Sequence, residues 1–244
     1  MTMPGGEGGW TLALDTSTPR GSVALGRGSE VRGVRHLGSA REHAARLVPA
    51  VRDLLDDARV GPDDLTALVA GSGPGSFTGV RVAGATAMGL AAGLGIPARG
   101  RSSLLALACA WMAGGRGDSR GDEVLCTLFD ARGDRVYAAW FRVGDSGPLE
   151  IGSPAAARLG EVLATPVSGP VLFLGDGALR HREKIEMAGA FRVVEPAATL
   201  AEGHLLAETL GLPAFETDGF KGWQAQYLRG SSAVPSGAVG GGSE

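Results

Sequence analysis

The chain has 244 residues, of which 44% are hydrophobic, enough for one large domain or two small ones with a real core. Its net charge of −3 argues against the basic surface of a stand-alone nucleic-acid binder. Its two cysteines, Cys109 and Cys126, rule out a disulfide framework and a Cys-x-x-Cys metal or redox motif, which fits a reducing, cytoplasmic setting.

Residues 1–8 carry neither the basic nor the apolar stretch of a signal peptide and are expected to form a disordered leader. Trp10 to Asp15 begins as an apolar strand and ends in Asp15-Thr16-Ser17-Thr18, rich in hydroxyls. A turn at Pro19-Arg20-Gly21, a strand from Ser22 to Gly26 and a third from Glu30 to Leu37 complete a meander. Ser39 with Glu42 three residues later reads as a capping box, followed by a helix to about Arg59 whose apolar stripe includes Leu47, Val51 and Leu54. His43 lies at the edge of that stripe and is read as structural or surface rather than as a ligand.

Ala67 to Ala70 is a short strand that runs into Gly71-Ser72-Gly73-Pro74-Gly75-Ser76-Phe77-Thr78-Gly79-Val80-Arg81. A glycine-rich turn entering a helix gathers backbone N–H groups where an anion can bind. The details fit no standard phosphate loop. A Walker loop ends in Gly-Lys-[Ser/Thr], whereas lysine occurs here only at Lys184 and Lys221, and Gly73 to Thr78 lacks the third glycine of a dinucleotide fingerprint. The bland alternative is a tight turn with Ser76 and Thr78 as helix caps. Gly84 and Gly89 inside the following helix each cost roughly 0.5–1 kcal/mol against alanine, so a close approach is expected there. Gly79, Ala83, Ala87 and Ala91 would offer a second helix a flat face.

Ile96 to Gly100 is a short strand, and Ser102 caps a helix through Met112. A polar, Gly-rich loop at 114–122 marks a domain boundary. Beyond it come a hairpin over Val124–Val143, a strand at Val171–Gly175, a helix at Gly177–Met187, a strand at Phe191–Val194 and a helix at Leu200–Leu210, before a tail at 231–244 that reads as disordered. The expected divisions are residues 9–112 as an N-terminal ribonuclease H-like lobe and 113–230 as a smaller C-terminal α/β lobe, with Tyr227-Leu228-Arg229 folding back on the first. Strands alternating with helices in two halves give an α/β protein, and the opening meander followed by helix, strand, helix, strand is the ribonuclease H-like order.

Leu12-Ala13-Leu14-Asp15-Thr16-Ser17, Arg41-Glu42-His43, the Gly71–Arg81 turn, Asp130-Ala131-Arg132 with Val136-Tyr137, and Tyr227-Leu228-Arg229 together resemble the TsaB (YeaZ) family, in order over residues 9 to 230. The resemblance implies a two-lobed actin-like ATPase (ribonuclease H-like) fold and a non-catalytic role in making threonylcarbamoyladenosine on tRNA. It implies as partners a TsaD-type catalytic subunit, a TsaE-type ATPase and tRNA through the complex, with a homodimer when the chain is alone and no membrane. Where the catalytic relative carries a metal-binding His-x-x-x-His, this chain has Arg101-Ser102-Ser103-Leu104-Leu105. Its four histidines include no pair four apart, so no metal and no catalytic residue are expected.

The resemblance further implies pairing through the first two long helices, at Arg41, His43, Leu47, Val51 and Leu54 on one and Gly79, Ala83, Thr86, Ala87 and Leu90 on the other. No cofactor is expected beyond weak nucleotide binding at a vestigial anion loop of Asp15, Gly73, Gly75, Ser76 and Thr78. The alternative is a nucleotide-binding ATPase or glycoprotease-like enzyme of the actin-like superfamily working through that same loop.

Overall fold

A computed structural model describes residues 9–114, 123–144, 146–217, 223–226 and 228. The expected leader and tail, most of the 114–122 loop, Tyr227 and Arg229 lie outside the described residues. In chain order the first elements are β1 (Trp10–Asp15), β2 (Ser22–Arg27), β3 (Glu30–His36), α1 (His43–Ala58), β4 (Leu65–Gly71), α2 (Phe77–Leu94), β5 (Ala98–Arg101) and α3 (Ser103–Ala113). There follow β6 (Val124–Asp130), β7 (Arg135–Gly144), β8 (Gly147–Glu150), β9 (Ala155–Arg158), α4 (Leu159–Leu163) and β10 (Val171–Leu174). The last are α5 (Asp176–Arg180), α6 (Arg182–Ala188), β11 (Phe191–Val194), α7 (Leu200–Thr209) and β12 (Phe215–Thr217).

The chain divides into two compact units, Met1–Gly115 with Pro196–Tyr227, and Arg116–Glu195 with Leu228–Glu244. The first is built on a sheet of order β12-β5-β4-β1-β2-β3. Its meander is antiparallel, β1, β4 and β5 run parallel, and β12 closes the edge antiparallel to β5. Its main core joins Leu12, Leu14, Leu47, Leu54, Leu68 and Ala83. The second unit has the order β11-β10-β6-β7-β8, with β9 also on β7, over a core that includes Phe173, Trp140 and Ile185.

The expected domain division changes at one place. Residues 196–217 were assigned to the C-terminal lobe, yet α7 and β12 complete the first unit. The reason is packing. Helix α3 is apolar on nearly every side, and α7 covers it so closely that a Cβ on Gly203 would stand 1.9 Å from the Ala106 carbonyl oxygen. The helix expected over Gly177–Met187 is broken at His181 into α5 and α6.

Burial pushes the Cys109 thiol up to about 12 and that of Cys126 well above the ordinary thiol value. Both thiols are therefore expected to stay silent to a thiol reagent in the native protein and to titrate only in denaturant.

Candidate functional site

Strand β1 delivers Asp15 into the middle of the first unit, where it is 0% exposed. Its Oδ1 accepts from the Ser17 amide at 2.8 Å and the Ser17 hydroxyl at 2.6 Å. Its Oδ2 accepts from the Ser103 hydroxyl at 2.7 Å and meets His204 Nε2 at 2.8 Å. Nδ1 of His204 is buried without a partner among the described residues, and Nε2, facing the carboxylate, carries the ring proton and donates to it. Burial alone would raise the pKa of Asp15. The hydrogen bond and electrostatic attraction of the His204 N–H, with the two Ser17 bonds, outweigh burial and hold the carboxyl below its usual range.

The glycine turn is sewn to this centre. The Ser76 amide donates to the Ser17 carbonyl at 2.7 Å, the Gly73 amide to Ser103 Oγ at 3.3 Å, and the Thr16 hydroxyl to the Gly79 carbonyl at 2.6 Å. Ser76 caps α2 by accepting from the Gly79 amide at 3.2 Å, as the capping reading expected. The glycines are demanded by contact. A Cβ on Gly71 would fall 2.0 Å from Asp15 Oδ2, and one on Gly79 would fall 1.9 Å from the Thr16 carbonyl oxygen. Gly73 also sits at φ +89°, which favours glycine.

Of the residues expected at an anion loop, Asp15 and Gly73 are buried, Gly75 is half-buried, and Ser76 and Thr78 are exposed. Three amides of the turn, those of Gly73, Ser76 and Gly79, are committed to protein oxygens, and the Asp15 carboxylate is sealed. The arrangement does not relay a proton for acyl transfer. A nucleophilic serine needs a histidine between it and the acid, whereas here Ser103 and His204 both bond to the same carboxylate oxygen.

The residues expected at a partner surface need correction. His43 is buried, and its Nε2 accepts from the Gly21 amide at 3.3 Å. Leu47, Val51, Leu54, Gly79, Ala83 and Ala87 are buried, and all but Gly79 belong to the main core, because the apolar stripes of α1 and α2 pack inward. Arg41 is exposed, and Thr86 and Leu90 are half-buried. The flat face is buried within this unit: Gly79 abuts the Thr16 carbonyl, and Ala83, Ala87 and Ala91 share the main core with Leu47, Val51 and Leu54 of α1. The outward faces are exposed to solvent. On α2 they carry Thr78, Arg81, Ala85, Gly89, Ala92 and Gly93. Large apolar groups stand exposed beside them, Phe77 at 55% with Arg81 over its ring and Val48 of α1 at 50%. By length and composition α2 could cross a membrane, but it is a capped helix with 39% of its residues buried in this unit.

Two groups escaped the sequence reading. His204 lies 189 positions from Asp15. Arg99 and Arg101, neighbours on one face of a buried strand, converge on Glu208 at 2.5 and 2.9 Å. Two arginines at alternate positions of a strand do signal a buried carboxylate, though not which one. In the second unit Asp130 accepts from the Arg132 amide at 3.0 Å and pairs through its other oxygen with Arg180.

A family model for TsaD, tRNA N6-adenosine threonylcarbamoyltransferase, matches residues 29–193. The tRNA threonylcarbamoyladenosine biosynthesis protein TsaB of Bacillus subtilis is 34% identical over 177 residues, 72% of this chain and 74% of that one. TsaB of Escherichia coli is 39% identical over 136 residues, 56% of each chain, so that match spans about half of either protein. Among solved structures, an uncharacterised protein with similarity to peptidase YeaZ from Pseudomonas aeruginosa superposes with a TM-score of 0.75 at 30% identity, covering 91% of this chain and 100% of that one. The fold class is that of the actin-like ATPases.

Proposed function

Since the chain belongs to the TsaB (YeaZ) family of tRNA threonylcarbamoyladenosine biosynthesis proteins, we propose that it acts there as a non-catalytic scaffold for a TsaD-type catalytic subunit. The observation that carries this reading is the outward face of α2, an apolar helix on which Ala85, Gly89 and Ala92 are exposed, with Phe77 exposed in its first turn. Nothing within 4 Å would meet a Cβ on Gly89 or Gly93, so a partner helix can approach the backbone closely there. Large apolar patches at a surface mark interaction sites. The sealed carboxylate of Asp15 supports the non-catalytic half of the reading, because an acid with both oxygens hydrogen-bonded and no exposure is out of a substrate's reach.

On this reading a TsaE-type ATPase and tRNA join through the catalytic subunit, in the cytoplasm, and two copies of the chain pair through the same face when that subunit is missing. Light scattering after size exclusion tests it. The chain alone is expected to run as a dimer and, mixed with the TsaD-type protein of the same genome, as a 1:1 complex. Ala85→Glu puts a charge at the centre of the face and is expected to weaken both associations at least about tenfold, since a buried unpaired charge is costly. Unchanged association of that variant would refute the surface. ATP hydrolysis by the isolated chain, lost on Asp15→Ala, would instead favour the enzyme reading.

A further inference from the structure

The segment Trp223–Gln226 lies across the first unit beside α2 and the glycine turn. Its seat is cut for it. A Cβ on Gly84 would stand 2.3 Å from the Trp223 ring, so the indole rests directly on the helix backbone. Phe215 of β12 forms the second wall, with ring centroids 5.7 Å apart and planes at 59°. Phe215 is itself held against β5 at a position where only glycine fits, since a Cβ on Gly100 would stand 2.0 Å from its ring. At the far end the Gln226 amide donates to the Ser72 carbonyl at 2.8 Å, at the start of the turn.

Set against these contacts are three buried polar atoms without a partner among the described residues: Trp223 Nε1, Gln226 Oε1 and Ser72 Oγ. All three lie in the segment or its seat. Each forgoes hydrogen bonds that water would supply on opening. The segment thus gains apolar contact and one backbone bond on closing while giving up polar satisfaction at three points, which marks a region of low local stability.

The seat also lies at the edge of the outward face of α2, where Gly84 adjoins Ala85 in the chain. We propose that Trp223–Gln226 is a latch, closed in this structure, and that its closing completes the wall of the α2 face that the catalytic subunit engages. The proposal rests on the reading of that face as the docking surface. Closed, the indole fills the Gly84 notch and gives the face a continuous apolar border. Open, the notch is a gap and the Ser72 carbonyl loses the Gln226 bond. Binding and closing then favour each other by the same factor.

Hydrogen exchange on the full chain, with and without the TsaD-type subunit, tests this alongside the affinity of three variants. In the free protein the Gln226 amide is expected to exchange much faster than the β4 amides, and the subunit is expected to slow it. Gly84→Ala forces the indole off its seat and Trp223→Ala removes it. Both are expected to speed exchange at Gln226, leave β4 protection intact and weaken subunit binding by about tenfold. Ala85→Glu separates the two ideas. If it abolishes binding while Gly84→Ala and Trp223→Ala bind as wild type does, the latch is refuted and the face stands. If Ala85→Glu also binds normally, the docking surface is refuted and the latch coupling with it. Exchange of Gln226 in step with β4 would show the segment to be ordinary core and would overturn the latch on its own.

Discussion

Replacing Glu208 with alanine is expected to lower stability by about 3–5 kcal/mol, because it takes their shared carboxylate from two buried guanidinium groups. Arg101 is 2% exposed as a side chain and Arg99 9%, and Glu208 is the carboxylate they share. Burial pushes the Arg101 pKa down, and the Glu208 charge and hydrogen bond are what oppose that. The remaining donors of Arg101 reach the carbonyls of Pro213, His204 and Leu212 at 3.0 to 3.2 Å, so the network ties the end of α7 and the approach to β12 onto β5. Its loss therefore loosens the whole return of the chain to the first sheet. For a chain of this length each kcal/mol moves the melting temperature by about 2–4 °C, so thermal unfolding should fall by roughly 6–20 °C. The control is Glu216→Ala. That carboxylate also lies 3.2 Å from Arg99 but is 72% exposed, and its removal is expected to cost at most about 1 kcal/mol. Equal effects of the two substitutions would show that burial does not set the weight of these pairs.

The same network shows where sequence reasoning stops. The meander, α1 with its apolar stripe, the glycine turn and the Ser76 cap were legible because each is set by neighbours within a few positions. Hydrophobic periodicity also identified Leu47, Val51 and Leu54 correctly as one face. It could not say that this face looks inward, and Leu47, Val51 and Leu54 prove to be core residues. An amphipathic stripe is above all a record of the core; the exposed small and apolar residues of α2 lie on the other side, as Ala85, Gly89 and Phe77 do. Contacts between distant positions left no local trace. Nothing near Asp15 announces His204, and nothing near β5 announces that β12 will pair with it, since that edge is closed by a strand more than a hundred positions later. The Gly84 anomaly was visible as a helix glycine with a cost and no evident return. Its cause is an aromatic ring from the far end of the chain, while Gly89, anomalous in the same way, faces open solvent.

Asp15→Ala carries the second large effect and separates the scaffold from the enzyme. The substitution leaves the Ser17 and Ser103 hydroxyls and His204 Nε2 buried without their acceptor, and a cost of about 3–5 kcal/mol is expected, at about 1–3 kcal/mol for each stranded group with partial relaxation. The loss should depend on pH in a definite sense. The folded protein holds the Asp15 carboxyl below its ordinary value, so ionisation favours the folded state. That stabilisation is complete above the unfolded carboxylate pKa of about 3.9 and is lost as pH falls through the lower folded value. Denaturant titrations of wild type and Asp15→Asn from pH 7 into the acid range should show a gap that is constant down to about pH 4–5 and then narrows. A gap that widens in acid would mean that the carboxyl is held neutral, and the pairing with His204 would have to be redrawn. The isostere also probes function. Asn retains the shape of the site and two of its acceptor directions, so a folded Asp15→Asn protein is expected to bind the TsaD-type subunit as wild type does. A catalytic aspartate would behave in the opposite way, with the fold and the complex intact and turnover gone. Partner affinity, complex activity and acid stability measured on one variant therefore distinguish a carboxylate that holds β1, the glycine turn and α7 together from one that does chemistry.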